Sequence, residues 1–155
     1  MHMPKHPMTG SCPCESNRHV VSALPLTLYA CHRTACQTQS ASAFGISIPV
    51  KRAALEFETT SLIKHERIAT SGRGVVDWFC SDCGTRLYNN SLRGPDVVNI
   101  KPVALVDTSW LSPVGHLRLA SAQPWFQPQA DALCDQGQPP SFDALYERFK
   151  SSYGA

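Results

Sequence analysis

Six of the seven cysteines in this chain fall into three close pairs, Cys12 and Cys14, Cys31 and Cys36, and Cys80 and Cys83. Thiols that are paired at short spacing and repeated along one chain are typical of tetrahedral zinc sites. The last pair is the most diagnostic, because two residues separate its thiols and Gly84 follows the second one. A glycine there lets the backbone turn without a side chain in the way. The fold must therefore bring distant parts of the chain to a shared metal site.

The composition is that of a globular protein about one domain long, with 155 residues, 43% of them hydrophobic and 17% charged. The net charge is only +2, and the basic residues are scattered, which excludes a nucleic-acid stripe or a membrane patch. Residues 1–7 lack the apolar core of a signal peptide, and no run is long enough to span a membrane. We expect a cytoplasmic protein, in which paired cysteines are metal ligands or redox groups.

Turn-forming residues are spread along the chain, with 12 prolines and 9 glycines, which favours short strands over long helices. Strands are predicted at residues 19–24, 26–31, 46–50, 55–58, 63–69, 75–80, 86–88, 97–103 and 116–119, with a loop or short helix at 34–45. One amphipathic helix is predicted near the C-terminus, capped by Ser141 and apolar along Phe142, Leu145, Tyr146 and Phe149.

These patterns predict a mainly β fold, with antiparallel sheets tied together by zinc and a short C-terminal helix. We divide the chain into a disordered leader at residues 1–9, a zinc domain at 10–130, and a loop and helix at 131–155 that pack on the domain. Cys134, in the last of these segments, is expected to be a free thiol without a role.

The first and third cysteine pairs make the simplest metal site. Four thiolates from Cys12, Cys14, Cys80 and Cys83 would form a closed tetrahedral zinc site with no open position, so its role would be structural. Because such a site closes a long loop of chain, its binding free energy would become folding free energy. The alternative is that these cysteines are simply small buried hydrophobic residues. Two such pairs in one short chain favour zinc.

The middle pair is different, because two thiolates alone hold zinc poorly. His32 is a candidate third ligand, although a neighbour of Cys31 on a strand points the other way. Arg33 lies between Cys31 and Cys36 in the sequence and places a fixed cation among the thiols. Such a charge disfavours a second cation and is expected to lower the thiol pKa values, which favours reactive thiolates.

Several segments together resemble one known family, the glutathione-dependent formaldehyde-activating enzymes, or CENP-V/GFA domain. The segments are GSCPC at 10–14, CHRTACQ at 31–37, SAFG at 42–45 and FCSDCGTRL at 79–87, followed by PVGHL at 113–117 and QPW at 123–125. The resemblance covers about residues 8 to 127 and is specific, because three cysteine motifs occur in the same order.

The resemblance implies a β-rich, zinc-containing fold and carbon–sulfur lyase chemistry. The family's reference reaction joins formaldehyde and glutathione as S-hydroxymethylglutathione, and the reverse reaction cleaves the carbon–sulfur bond. It also implies one structural zinc on Cys12, Cys14, Cys80 and Cys83, and a second, catalytic zinc on Cys31, position 33 and Cys36. A small thiol adduct such as a glutathione–aldehyde adduct would be the substrate.

This chain departs from the family pattern at three positions. Arg33 replaces the middle cysteine of the second zinc site, so we expect that site, and with it lyase activity, to be impaired. Glu15 stands where a glycine usually follows the first pair, and Ala41 stands where a glycine usually precedes the SAFG segment. The last two changes are expected to affect backbone turns.

Three hypotheses follow for the function. The first is a lyase in which Cys31, Cys36 and Arg33 act on a thiol–aldehyde adduct. The second is a non-catalytic zinc module in which Arg33 recognises an anionic group such as a glutathione carboxylate. The third is a thiol-redox protein in which Arg33 activates Cys31 or Cys36, and the two form a disulfide.

Overall fold

The mainly β architecture expected from the sequence is confirmed in the computed structural model, which describes residues 1–58, 61–69 and 71–154. In chain order its strands and α-helices are β1 (Met8–Ser11), β2 (Arg18–Val21), β3 (Tyr29–Cys31), α1 (Thr34–Ser40), β4 (Gly45–Lys51), β5 (Leu55–Phe57), β6 (Leu62–Ile68), β7 (Gly74–Cys80), β8 (Arg86–Ser91), β9 (Gly94–Ile100), β10 (Gly115–Leu117), β11 (Leu133–Cys134) and α2 (Asp143–Tyr153).

Two compact units divide the chain. The first contains Met1–Met3, Leu26–Ser47 and Leu111–Ala155, and the second contains Pro4–Pro25 and Ile48–Trp110. Strand β4 contributes its first residues to one unit and the rest to the other. The C-terminal helix therefore shares a unit with β3 and α1, which differs from the predicted division of the chain at residue 130.

The second unit is built from antiparallel ladders, as expected. Strands β1, β2 and β5 form one sheet, and the end of β4 continues through β9, β8, β7 and β6 in another ladder. Alternate residues of these strands point inward because a strand has a side-chain period of two. The fully buried side chains in this unit include Val21, Ile48, Val50, Leu87, Val98 and Ile100.

The first unit contains two parallel pairings, which the sequence did not predict, within the mainly antiparallel architecture that was expected. Strand β10 pairs in parallel with β3 on one side and with β11 on the other. Helix α2 packs its apolar side on this unit, with Leu145, Phe149 and Tyr153 buried. Gly115 on β10 is required for this packing, because a Cβ atom there would collide with the Leu145 side chain. Strand β11 has only two residues and carries no sequence pattern that predicts it.

The ordered chain begins earlier than the predicted leader allows. Strand β1 starts at Met8, whose side chain is buried and which pairs with Val21 across the β1–β2 ladder. The apolar contact stabilises this pairing, so residues 8 and 9 belong to the sheet. The predicted end of the leader, at residue 9, therefore falls inside β1.

The C-terminal helix confirms the predicted amphipathic pattern but starts one residue later than a Ser141 cap implies. Phe142 occupies the N-cap position, and the Ser141 hydroxyl oxygen accepts a hydrogen bond from the Asp143 backbone N–H at 3.1 Å. Ser141 therefore still satisfies one of the free N–H groups at the start of the helix, from one position further out. Asp143 lies in the first turn, where its charge favours the helix dipole.

The two positions at which the family resemblance implies glycine adopt backbone conformations that suit glycine. Glu15 has φ 61° in the turn after Cys14, and Ala41 has φ 48° at the C-cap of α1. Residues with a Cβ atom adopt this left-handed region at a cost of roughly 1–2 kcal/mol. Both departures therefore leave the turn in place and strain it.

We predict that Glu15→Gly and Ala41→Gly each raise the free energy of unfolding by about 1 kcal/mol, because glycine relieves the left-handed strain. The Glu15–Arg18 ion pair lost in the first variant is solvent-exposed and contributes little. Urea unfolding of the metal-loaded protein measures the change. Ala35→Gly, inside α1, is the matched control and should destabilise by about 1 kcal/mol. Equal destabilisation by all three variants would contradict the account.

A histidine is buried beside the β1–β2 ladder. His19 is 2% exposed, and neither of its ring nitrogens has a hydrogen-bond partner in the described part of the chain. Its ring lies against Gly10, where a Cβ atom would come within 2.6 Å of His19 Cε1. Burial lowers the pKa of His19 to about 4, because the charged imidazolium would lose its hydration.

The free energy of unfolding should fall as the pH drops from about 6.5 towards 4, because the unfolded chain protonates His19 first. The loss from this group is at most about 3 kcal/mol. Comparing the pH dependence of urea unfolding for the wild type and His19→Phe isolates this contribution from acid loss of metal. His2→Phe, at an exposed position, should retain the full slope. A His19→Phe slope identical to that of the wild type would refute the assignment.

Candidate metal centre and thiol site

Four thiols from two turns meet in the second unit. Cys12 directly follows β1, Cys14 lies in the turn after it, Cys80 ends β7, and Cys83 lies in the turn between β7 and β8. The β7–β8 turn closes through the Gly84 N–H, which donates to the Cys80 carbonyl at 3.0 Å, and Gly84 has φ 73°. The role expected for this glycine is therefore met, because its conformation suits a residue without a side chain.

The distances among the four sulfurs match a tetrahedral metal site. Cys12 Sγ lies 3.4 Å from Cys14 Sγ and 3.7 Å from Cys80 Sγ, and Cys14 Sγ lies 3.6 Å from Cys80 Sγ. All four sulfurs lie within 4.8 Å of one another. Zinc–sulfur bonds of about 2.3 Å in a tetrahedron place the sulfurs about 3.8 Å apart. The four cysteines can therefore hold a metal ion, and their spacing and donor type fit zinc.

The four thiols differ in exposure and in their tendency to ionise. Cys12 and Cys80 are buried, whereas Cys14 and Cys83 are exposed. Burial raises the pKa of Cys12 to about 11, because a lone thiolate there would lose its hydration. Hydrogen bonds from the Thr85 hydroxyl and backbone lower the pKa of Cys83 to about 6. Metal binding requires ionised thiols. The positive charge of a bound cation would compensate the negative charge of the buried thiolates.

The backbone around the first pair is arranged to face the sulfurs. The Asn17 N–H donates to Cys12 Sγ at 3.4 Å, and the Cys12 N–H donates to the Asn17 carbonyl at 3.1 Å. The Asn17 side-chain amide donates to the Ser61 carbonyl at 3.1 Å, which fixes the turn to the chain just before β6. Asn17 is fully buried and was not identified from the sequence. Its position five residues after Cys12 is the only signal that pointed to it.

The remaining pair lies in the first unit, where β3 leads into α1. Cys31 ends β3 opposite Gly45 of β4, and Cys36 lies in the first turn of α1. A Cβ atom on Gly45 would lie 3.3 Å from Cys36 Cβ, so this glycine leaves the space that Cys36 fills. The two thiols hydrogen-bond to each other, which confirms that the local fold brings them together.

Arg33 does not make Cys31 a reactive thiolate. The hydrogen bond with Cys36 and burial raise the pKa of Cys31, and the charge and backbone N–H of Arg33 oppose this rise without overcoming it. The expected lowering of the thiol pKa is therefore wrong for Cys31, because the effects of the neighbouring thiol and of desolvation are larger. Arg33 Nε is shielded from solvent and has no hydrogen-bond partner among the described residues.

Tyr29 is a neighbour of the thiols that sequence analysis did not select. Burial is the main cause that raises the pKa of its hydroxyl; interaction with Cys31 and Cys36 adds to this, and a hydrogen bond with Ser47 opposes it. Tyr29 and Cys31 are two residues apart on β3, so their side chains share a face of the strand. That period of two was the signal that could have found it.

The second metal site implied by the family pattern does not fit the residues present. Within the described ranges, the only group of three or more His, Cys, Asp and Glu side chains close enough to hold a metal is Cys12, Cys14, Cys80 and Cys83. The middle position of the other motif is Arg33, which cannot donate a lone pair to a metal. His32 does not supply the missing ligand to Cys31 and Cys36.

His32 is held instead in a buried cluster with three other rings. Its Nε2 atom lies 3.1 Å from His116 Nδ1, and His116 Nε2 lies 3.1 Å from Gln129 Oε1. Phe44 and Phe126 pack on both imidazoles, with ring centroids 4.4 to 6.1 Å apart. Burial lowers the pKa of His32, and the electrostatic interaction with the neighbouring His116 adds to this lowering. His32 therefore stays neutral and orders the segment between the two thiols.

The backbone of His32 is anchored as firmly as its ring. Its N–H donates to the Leu117 carbonyl of β10 at 2.9 Å. Its carbonyl accepts hydrogen bonds from the Gln37 side-chain amide at 2.7 Å and from the Ser121 hydroxyl at 3.0 Å. Because His32 separates Cys31 from Arg33, these contacts fix the direction in which both neighbours leave the strand.

Comparison with known proteins assigns the chain to a family. The family described as glutathione-dependent formaldehyde-activating enzyme matches residues 7–121, most of the chain. The chain belongs to this family. Its match includes all three cysteine pairs, so the family resemblance seen in the sequence motifs is confirmed.

The match to the formaldehyde-activating family covers the residues of both cysteine sites. The similarity to a solved structure supports the fold alone. A crystal structure of a Rhodobacter sphaeroides protein is similar, with a TM-score of 0.54 and 18% sequence identity over 66% of this chain and 92% of that one. No curated protein sequence matches this chain significantly. Among the described residues, none of the helices is long and apolar enough to cross a lipid bilayer.

We predict that Cys83→Ser lowers metal affinity at least tenfold and lowers the melting temperature, because a serine hydroxyl is a far poorer zinc ligand than a thiolate. Cys83 is exposed, so its replacement leaves no cavity in the core. Competition with a chromogenic zinc chelator measures the affinity. Cys134→Ser, which also removes an exposed thiol, is the matched control and should change neither quantity. Equal behaviour of the two variants would exclude the four-thiolate site.

Proposed function

We propose that this protein is a zinc-containing carbon–sulfur lyase of the formaldehyde-activating family, acting on a thiol–aldehyde adduct at Cys31, Cys36 and Arg33. The observation that carries the proposal is the thiol pair itself, held together at the junction of β3 and α1 beside an arginine whose Nε has no partner in the described residues. Zinc at Cys12, Cys14, Cys80 and Cys83 would have a structural role, since four thiolates leave no open position.

Arg33 is the group best suited to bind the substrate. Its guanidinium is always charged and donates hydrogen bonds in a planar fork, which matches a carboxylate or the sulfur of a thiolate. Because Nε is buried and has no acceptor among the residues that the structure describes, this donor can serve such an anion. A glutathione adduct offers both carboxylates and a sulfur. Arg33 would thus stabilise the negative charge of the substrate in place of a metal, and it would do so less effectively.

The thiol pair is suited to move one proton. In the direction of adduct formation, a substrate thiolate attacks formaldehyde, a carbon–sulfur bond forms, and the carbonyl oxygen becomes an alkoxide. Cys31 keeps its proton because Cys36 and burial raise its pKa, so it can donate this proton to the basic alkoxide. The Cys31 thiolate left behind takes up the proton that the substrate thiol released when it ionised. In reverse, Cys31 first gives up its proton to solvent; its thiolate then removes the hydroxyl proton, the carbon–sulfur bond breaks, the electron pair leaves on the substrate sulfur, and that sulfur takes up a proton from solvent.

The neutral Tyr29 hydroxyl, close to both thiols, can donate a hydrogen bond to the same oxygen. Its role would be to position the substrate oxygen near Cys31 and to support the developing negative charge. We place the reaction in the cytoplasm, where free thiols stay reduced.

We predict that the purified protein accelerates the exchange between glutathione, formaldehyde and S-hydroxymethylglutathione, and that Cys36→Ser lowers the rate at least about tenfold, because Cys31 loses its thiol partner. Exchange spectroscopy by NMR measures this rate at equilibrium. Cys134→Ser is the control and should match the wild type. A wild-type rate equal to the uncatalysed rate would overturn the lyase proposal.

We predict that Arg33→Cys raises the bound zinc from one to two per chain and increases the exchange rate, because it restores a three-thiolate site with an open position. Elemental analysis of the metal-loaded protein gives the stoichiometry. Arg33→Ser removes the same positive charge without adding a thiol, and it should stay at one zinc. Two zinc ions already bound to the wild type would contradict the reading of Arg33.

A second candidate function is a non-catalytic binding module, favoured by the missing third metal ligand at Cys31 and Cys36. In that case Arg33 binds the anionic adduct without turnover. Isothermal titration with S-methylglutathione, a stable analogue, would then show binding that Arg33→Gln abolishes, while the exchange rate stays at the uncatalysed value. The two measurements together separate a lyase from a binding module.

A further inference from the structure

Within the described part of the chain, strand β6 is the last strand of its ladder and has no neighbouring strand on its outer edge. It runs without a bulge from Leu62 to Ile68, in register with Cys80 to Gly74 of β7. Its side chains point largely to solvent, with Ile63 55% and Ile68 74% exposed. The strand contains no proline, and its charged side chains, Lys64, Glu66 and Arg67, discourage pairing with a strand that does not match their charges.

The hydrogen bonds beside β6 show which residues face the open edge. Just outside its two ends, the Ser81 N–H donates to the Ser61 carbonyl, and the Ala69 N–H donates to the Arg73 carbonyl. In an antiparallel ladder every second residue turns its backbone groups to the same neighbour. The odd-numbered residues from 61 to 69 therefore bond to β7. Leu62, Lys64, Glu66 and Ile68 direct their backbone N–H and carbonyl groups outward.

The charges at these outward positions are complementary between two antiparallel copies of β6. When β6 pairs antiparallel with the β6 strand of a second copy, outward residues must lie opposite outward residues. If the two-fold axis passes through His65, Lys64 lies opposite Glu66 twice, and Leu62 lies opposite Ile68 twice. A shift of the axis by one residue either way places Lys64 opposite Lys64, or Glu66 opposite Glu66, which is unfavourable. Of these three registers, only the one centred on His65 pairs opposite charges while all seven residues stay paired; on the other face it places Ile63 opposite Arg67 and His65 opposite its copy.

We propose that the β6 edge is a homodimer interface, at which two copies of this chain pair antiparallel about His65 and join their β6–β7 ladders. The lysine and glutamate deter other strands, since a partner without the reversed charge order would face unpaired or like charges. Within one chain the Lys64 Nζ and Glu66 Oε1 atoms are 2.9 Å apart, so the side chains already lie on one face of the strand. The proposed interface uses none of the residues assigned to the lyase chemistry, whereas its first residue, Leu62, lies in register with the metal ligand Cys80.

Sedimentation equilibrium of the metal-loaded, reduced protein, from about 1 μM to about 1 mM, tests the proposal. The wild type should reach twice the 17.0 kDa mass of one chain. Glu66→Lys and Lys64→Glu should each raise the dissociation constant at least about tenfold, because the two-fold axis makes each change twice. The double variant Lys64→Glu with Glu66→Lys should return to within about threefold of the wild type, because it restores both cross-strand pairs.

Lys150→Glu, an equal charge change on α2 in another exposed ion pair, is the matched control and should leave the dimer intact. Melting temperatures separate a weakened dimer from a damaged fold. Three results would overturn the proposal: a wild type that stays monomeric over the whole range, a dimer indifferent to the single charge changes, or a double variant that remains as weak as the single ones.

Discussion

The convergence of four thiols on one point is the constraint on which the second unit depends. The loop after β1 and the turn after β7 are 66 to 68 residues apart in sequence, yet their sulfurs lie at the separation that a tetrahedral zinc site requires. Without an ion, Cys12 and Cys80 are simply buried thiols, and two exposed thiols sit beside them. A bound metal would convert this clustering into folding free energy, because the unfolded chain has no such site.

The three cysteine pairs of the sequence are thus not equivalent. Two of them form one closed set of ligands, and the third pair is joined by a thiol–thiol hydrogen bond at the end of β3. Arg33 accounts for the difference between the four-cysteine site and the Cys31–Cys36 pair, because it occupies the position where a third thiolate ligand would be needed. The ring of the neighbouring His32 contacts His116 and two phenylalanine rings. It therefore supports the position of the thiols and does not act as a metal ligand.

Much of this could be predicted from the sequence. The strands β4 to β9 follow from short apolar runs between turn residues, and the knuckle at Cys80 follows from spacing and Gly84. The parallel pairing of β10 with β3 and β11 could not be predicted, because each of these strands has only two or three residues and their partners are far away in sequence. Strand β1 could not be predicted for a related reason, because Met8 pairs with Val21 only when the β1–β2 hairpin forms.

The candidate thiol site shows the same limit. Spacing identified Cys31, Arg33 and Cys36, but the charge of Arg33 alone predicted the wrong sign for the pKa shift of Cys31, because the interaction with Cys36 and burial depend on the tertiary structure. Tyr29, Gly45 and His116 belong to the surroundings of the pair through strand register and packing. Of these, only Tyr29 was accessible from a local period of two.

Anomalous scattering at the zinc edge, from crystals of the metal-loaded wild-type protein, locates the bound metal directly. We expect one strong peak surrounded by Cys12, Cys14, Cys80 and Cys83, and no peak between Cys31 and Cys36. A peak of comparable height at the second pair, or no peak among the four thiols, would contradict this expectation.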